Sequence, residues 1–217
     1  MNIAAIAAFA CGKLSKTDTP NVTFCKSAIR VRWESVWDSR LWRASMIPEV
    51  VTVTAGTTML TMPVGIDRVI ALRYGPRTVL DPANWESLLK DDPTAFERVG
   101  QPWKFIQAGR NASGQVLVRL IGTPTTDESM LVIGKAPFPA CAADADSPSA
   151  YLDGVDAVLL AFAEGDMLEK MERRQAAISK FTEATTLMAT MESLQNDQSG
   201  QTYEVQASPI QLQHTDW

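Results

Sequence analysis

The spacing of hydrophobic residues changes period twice along this chain, and that change decides which stretches can be helix and which sheet. Residues 1–48 and 138–196 carry apolar positions three or four apart, whereas residues 49–137 alternate. Near the start, Ile3, Ile6, Phe9 or Ala10, and Leu14 share one face, with Gly12 the only breaker, which predicts a short helix closing near Lys16. Thr19 before Pro20 supplies a side-chain cap and then a residue whose missing N–H costs nothing in a first helical turn. The second helix begins there. Val22, Cys25, Ile29, Trp33, Val36 and Trp37 form its apolar stripe, and it is expected to run to about Arg43, with Pro48 barring continuation. Arg30 and Glu34 lie four apart on another face and can pair weakly.

From Glu49 the pattern turns β-branched. Val50–Thr54, a turn at Ala55-Gly56, and Thr58–Met62 read as a hairpin. Further strands are expected over 66–74, 103–107, 115–121 and 130–135, separated by Gly, Pro, Asn and Asp turn residues. Six short strands of this kind make a small antiparallel sandwich or barrel. Between the third and fourth, Asp81-Pro82 predicts the start of a short helix through Leu89, ended by Asp92-Pro93, as an excursion across the sheet.

Residues 138–149 are a Pro, Ala and Asp linker, and Ser147-Pro148 repeats the cap-then-proline signal. Tyr151, Leu152, Val155, Val158, Leu159 and Phe162 define one apolar face; Met171, Ile178, Phe181, Met188 and Met191 define a second. Gly165-Asp166 permits a bend between them, so two consecutive helices are expected rather than one helix of roughly 70 Å at about 1.5 Å per residue. The predicted organisation is α+β: N-terminal helices (1–48) and long C-terminal helices (138–196) of a helical bundle, an inserted β-rich domain (49–137), and an extended arm (197–217). In that arm Tyr203 and Val205 flank Glu204, Ile210 and Leu212 flank Gln211, and the chain ends on Trp217. Each alternating run could add as a strand to another chain's sheet, or the segment could be a frayed terminus.

Composition narrows function mainly by exclusion. With 46% hydrophobic and 21% charged residues the chain can build a packed interior. A formal net charge of −5 argues against a duplex-gripping surface, which needs Lys and Arg in excess. Three cysteines, Cys11, Cys25 and Cys141, contain no CxxC pair and cannot all be bridged, so free thiols in a reducing compartment are expected. Ala8-Phe9-Ala10-Cys11 faintly resembles a lipoprotein cleavage region. No Lys or Arg precedes the apolar run, however, and the run is short for a signal peptide or membrane span, so an ordinary buried helix is expected.

Catalytic chemistry finds few footholds. The single histidine, His214, lies in the arm, and no GxSxG, Walker loop, HExxH or paired-cysteine zinc spacing occurs. Asp144 and Asp146 resemble the opening of a calcium loop, but Pro148 stands at the third ligand position and the glycine is missing. They read instead as acids near a helix start, Asp91-Asp92 as a turn, and Asp153 with Asp156 as a solvated first helical turn. Trp33 and Trp37 share a helical face and belong to a core, while Trp42 and Trp103 fit either core or surface. No catalytic, cofactor or metal residue is predicted.

Several phrases in order bring a family into view. Val31-Arg32-Trp33-Glu34-Ser35-Val36-Trp37 followed by Leu41-Trp42-Arg43-Ala44 is similar to the end of a second helix in the head-to-tail adaptor proteins of tailed bacteriophages, although Leu41 stands where proline is common and Arg43 departs from the usual residue. The run from Val51 through Gly56 to Pro63, then Ile66 to Arg73, resembles the family's strand, turn, strand order. Gly100 to Ile106, Val116 to Leu120, and Pro148 to Gly165-Asp166 continue that order. The resemblance omits the first helix and the arm.

The resemblance implies a helical bundle carrying an inserted β-rich domain. It implies subunits assembled as a ring, commonly a dodecamer, between the portal protein and the tail nozzle or tube proteins of the virion, with DNA only as passing cargo and no membrane. It also implies a C-terminal arm reaching the portal, which makes Tyr203, Val205, Ile210, Leu212 and Trp217 the candidate portal-binding residues. Two other readings stand beside it: a tail-tube or tail-completion protein, which would be sheet-dominated, and a small hydrolase using paired carboxylates among Asp144, Asp146, Asp153 and Asp156.

Overall fold

The computed structural model describes residues 1–198, and among them are five α-helices and seven β-strands. α1 (Ile3–Lys13) is capped by Asn2, whose side chain accepts from the Ala5 N–H at 2.8 Å. α2 (Thr19–Ser39) has Pro20 in its first turn as expected, but the cap position is Asp18 rather than Thr19 and makes no side-chain capping bond; the helix stops short of Arg43, where a separate 3₁₀ turn, Arg43–Ser45, leads into the sheet. The strands are β1 (Met46–Val53), β2 (Met59–Thr61), β3 (Arg68–Tyr74), β4 (Thr78–Pro82), β5 (Lys104–Arg110), β6 (Val116–Ile121) and β7 (Glu128–Lys135). α3 (Trp85–Asp91) interrupts them, and α4 (Val155–Lys170) and α5 (Arg174–Gln198) follow.

The strands form one mixed sheet in the order β1-β7-β3-β4-β5-β6-β2. Its two end strands, β1 and β2, are joined by a turn at Thr54–Thr57, so the sheet curls until it is nearly closed. All seven strands, or the turns beside them, contribute to one interior cluster that includes Val53, Leu60, Leu72, Leu80, Phe105, Val118 and Val132. The expected hairpin of the first two strands is therefore wrong. Val50 pairs with Leu131 on β7 and Leu60 with Val118 on β6, partners that alternation alone cannot name.

Two further differences share a cause. The segment after Gly75 is a strand, β4, and Pro82 belongs to it, so α3 starts only after its Asn84 cap. The ladder from β4 to β5 has two registered pairs, Asp81 with Lys104 and Pro82 with Phe105, too little to leave an alternation signal. That ladder is parallel, which corrects the antiparallel expectation. Parallel neighbours need a long crossover, and α3 with the 3₁₀ turn Ala95–Glu97 supplies it. Pro48, expected to lie outside the strands, sits within β1, a terminal strand of the order where a missing N–H costs no ladder bond.

The helices surround a second cluster. Ile3, Ile6 and Ala10 of α1 meet Ile29, Trp33 and Trp37 of α2, Val158 and Leu159 of α4, and Met191 of α5. The core reading of Trp33 and Trp37 holds, and Trp42 joins them, its Nε1 donating to the Val36 carbonyl at 2.8 Å. Ser147-Pro148 begins only a 3₁₀ turn, Pro148–Ala150; α4 starts after Gly154, whose positive φ of 80° turns the chain into it. Two consecutive helices do follow, but α4 runs straight through Gly165-Asp166. The break comes at Met171–Arg173, where Glu172 adopts a φ of 59°.

What Gly165 provides is closeness. A Cβ there would lie 2.5 Å from Cε1 of Phe181, and one at Gly154 would lie 3.4 Å from Sδ of Met191. These two contacts run in opposite directions along the chain, so α5 folds back antiparallel on α4. Its buried stripe is Ala177, Ala184 and Met191, seven apart, with Ile178 exposed rather than facing inward as its spacing suggested.

Candidate interaction surface

The chain's charged side chains divide between locking the helices and facing solvent. Glu164 and Asp166 lie on a stretch of α4 whose neighbours are buried nearly all round, and each is met from other helices. Glu164 Oε1 accepts from Lys13 Nζ of α1 at 2.6 Å, and Oε2 pairs with Lys180 Nζ of α5 at 2.9 Å. Burial alone would raise the Glu164 carboxyl, but hydrogen bonds from Lys13 and Lys180 outweigh it and hold the group below its ordinary 4.5. Asp166 takes a two-pronged contact from Arg32 of α2, Nε to Oδ2 at 3.0 Å and the neighbouring Nη2 to Oδ1. The same guanidinium lies against both the Phe162 and the Phe181 ring, 5.0 and 5.1 Å from their centroids. Nearer the C-terminal end of α2, Lys135 of β7 reaches the Trp37 carbonyl at 2.9 Å and ties sheet to helices.

None of these residues was picked out as an interacting group from spacing. The available signal was two acids inside an otherwise apolar helical run, which in a buried helix require partners.

The paired-carboxylate candidates do not converge. Asp144 is held between Lys26 and Arg30 of α2, at 2.6 and 2.7 Å, and its carboxyl is held down by those hydrogen bonds, Lys26 foremost. Asp146 accepts the Ala143 N–H at 2.8 Å to close its own turn, Asp156 lies against Met1, and Asp153 faces the end of α5. Among the described residues no three His, Cys, Asp or Glu side chains are grouped to hold a metal ion. The cysteines are free thiols, all buried; burial and the nearby Cys11 push Cys25 up to about 12.

The open concavity nearest the arm lies where α5 ends. A largely apolar hollow of about 230 Å³ is lined by Gly154, Leu187, Thr190, Met191 and Leu194. It shares Asp153 and Gln195 with a more polar cleft of about 470 Å³ that is bordered by Arg43 and Tyr151. Leu194, lining the first, is 56% exposed, and Tyr151, lining the second, 47%. Leu187 and Leu194 lie beside the buried stripe of α5, off the face that the methionines suggested. The candidate portal-binding residues Tyr203, Val205, Ile210, Leu212 and Trp217 lie outside the described residues, as does the arm beyond the last turn of α5.

Helices at both ends of the described residues, a nearly closed mixed sheet between them and an open hollow near the end of α5 define an α+β protein. The chain belongs to the SU10 adaptor protein family, which matches residues 3–208 and so takes in all five helices, all seven strands, Tyr203 and Val205. No curated protein matches the chain.

Proposed function

We propose that this SU10-family chain is a non-enzymatic virion protein of the phage neck. Its subunits close into a ring, a dodecamer, that docks on the portal protein and gives the tail nozzle or tube proteins a platform. In this reading residues 1–48 and 138–196 act as a bundle that carries residues 49–137 as an inserted domain, and the arm meets the portal through Tyr203, Val205, Ile210, Leu212 and Trp217. The observation that carries it is the family match itself, which continues from α1 through every element into the alternating part of the arm. Assembly rather than chemistry is then the work. Ordering a segment on a partner costs entropy, which is offset by burying its apolar side chains and by repeating the contact around a closed ring.

Physical features support the same direction. Val64, Val99 and Val31 are exposed by 85, 74 and 66%, as expected of a subunit whose surface is completed by neighbours. A net charge of −5 suits a channel that lets DNA pass without gripping its phosphates. Among the described residues no helix is long and apolar enough to cross a membrane.

The test is truncation after Gln198. The shortened chain is expected to keep its circular dichroism and melting behaviour yet fail to bind portal rings. A truncated chain that still docks overturns the assignment of the arm.

A further inference from the structure

The outward face of the sheet carries apolar side chains on both halves, interspersed with Thr52, Ser129, Arg73 and Asp81, but only one half has a cover. On β5 and β6, the outward-facing Ile106 and Ile121 are buried beneath Leu88 of α3, Ala95 and Phe96. On the half formed by β1, β7, β3 and β4, alternation also turns apolar side chains outward. Val50, Leu131, Arg73 and Val79 occupy one row across the four strands, because Val50 registers with Leu131, Leu131 with Arg73 and Arg73 with Val79. Their chain neighbours Val51, Met130, Leu72 and Leu80 face the interior cluster, so all four of the row face out. The next row, Pro48, Ile133 and Ala71, is equally apolar. Val50 and Val79 are 67 and 65% exposed, where an outward strand position facing water is ordinarily polar. In the middle stands Arg73, exposed and without an ion-pair partner among the described residues.

The shape and charge of this face specify what fits it. Four strands at about 4.8 Å spacing make a surface about 14 Å across, wide enough to seat one helix of about 10 Å diameter. The central guanidinium asks for a carboxylate on that helix. The chain carries such a helix. The outer stripe of α2, opposite its buried face, reads Ser27, Val31, Glu34 and Ser35: all four are exposed, Val31 by 66%, and Glu34 has no ion-pair partner among the described residues. Two serines let a sheet approach closely, the valine is apolar, and the Glu34 carboxylate complements Arg73, while Asp38, one turn further on, is already engaged by Lys135.

We infer that the uncovered β1-β7-β3-β4 face is the seat for α2 of a second copy of this chain, with Arg73 pairing to Glu34 across the contact. The contact joins two different surfaces, so it is heterologous and propagates from copy to copy until the rotation closes. It rests on the ring reading above and assigns the faces of that ring.

Reciprocal charge exchange tests it in the full chain, by mass photometry and negative-stain imaging of the protein alone and with portal rings. Arg73→Glu and Glu34→Arg should each lower the assembled fraction at least tenfold while leaving the monomer's melting unchanged, since both side chains are exposed. The double variant should restore assembly. Val79→Asn, which adds no charge but wets the face, should also weaken it. Rings that form normally in both single variants, or a double variant that stays dissociated, overturn the assignment of these faces while leaving the ring intact. A wild-type chain that forms no ring in either setting overturns the ring reading as well.

Discussion

The helical core and the sheet core achieve order by different means. Among the described residues the one buried charge on a strand, Lys135, reaches the Trp37 carbonyl of α2, and the sheet's register is set by backbone ladders such as Met46 with Lys135 through Val53 with Glu128. The helices have no ladder between them. There, buried charges supply the register: Lys13 and Glu164 meet across 151 residues of chain, Arg32 and Asp166 across 134. A carboxylate that must meet one particular cation leaves a helix far fewer ways to slide than a leucine among leucines. Apolar burial holds both cores together, but fixed polar pairs specify only one of them.

Disturbing each device in turn should separate the two regions, and hydrogen exchange resolves them. The largest effect is expected from Asp166→Ala, which strands the Arg32 guanidinium against two phenyl rings; it should cost about 3 kcal/mol and open the helices while sheet amides stay protected. Gly165→Ala should cost about 2 kcal/mol by driving a methyl group into Phe181, with partial recovery in a Gly165→Ala, Phe181→Leu double variant. The counterpart in the sheet is Gly134→Ala, whose Cβ would lie 2.6 Å from Cγ2 of Ile66; it should loosen the strands first. Arg32→Lys keeps the charge but loses the fork and the stacking, for about 1 kcal/mol.

Acid should act on the helices. Glu164 is held below its ordinary 4.5, so the native state binds that proton more weakly than the unfolded chain does. Its contribution is complete above that value and is lost as pH falls below it. Exchange in α1, α4 and α5 should therefore accelerate in acid ahead of the strands, and Glu164→Gln should remove the difference. The smallest effects belong to groups outside this scheme. Asp144→Asn, at a solvated contact, should leave the melting temperature unchanged. The three buried thiols should resist a thiol reagent at pH 8 until the chain unfolds.

What could be read from the residues follows the range of the forces that act on them. α1, α2 and the stop of α3 at Asp92-Pro93 depend on caps, proline and local spacing, all within a few residues, and these were legible. The partners of β1 and β2 are chosen by ladders that close some 60 to 80 residues away, as in Val50 with Leu131, and no local pattern encodes that choice. β4 was hidden because Asp81-Pro82 imitates a helix start and its parallel ladder is too short to alternate. Gly165 looks like a hinge in the sequence, but its lack of a side chain serves the approach of Phe181, a long-range fact. At the candidate surface, Leu187 and Leu194 escaped notice because they flank the heptad stripe instead of lying on it.

The measurement that bears most directly on the adaptor account is electron microscopy of the purified full chain mixed with portal rings from a phage that encodes it. Closed rings of the chain seated coaxially on the portal, lost on truncation after Gln198, are the expected result. Monomers that leave the portal bare at saturating concentration would contradict it.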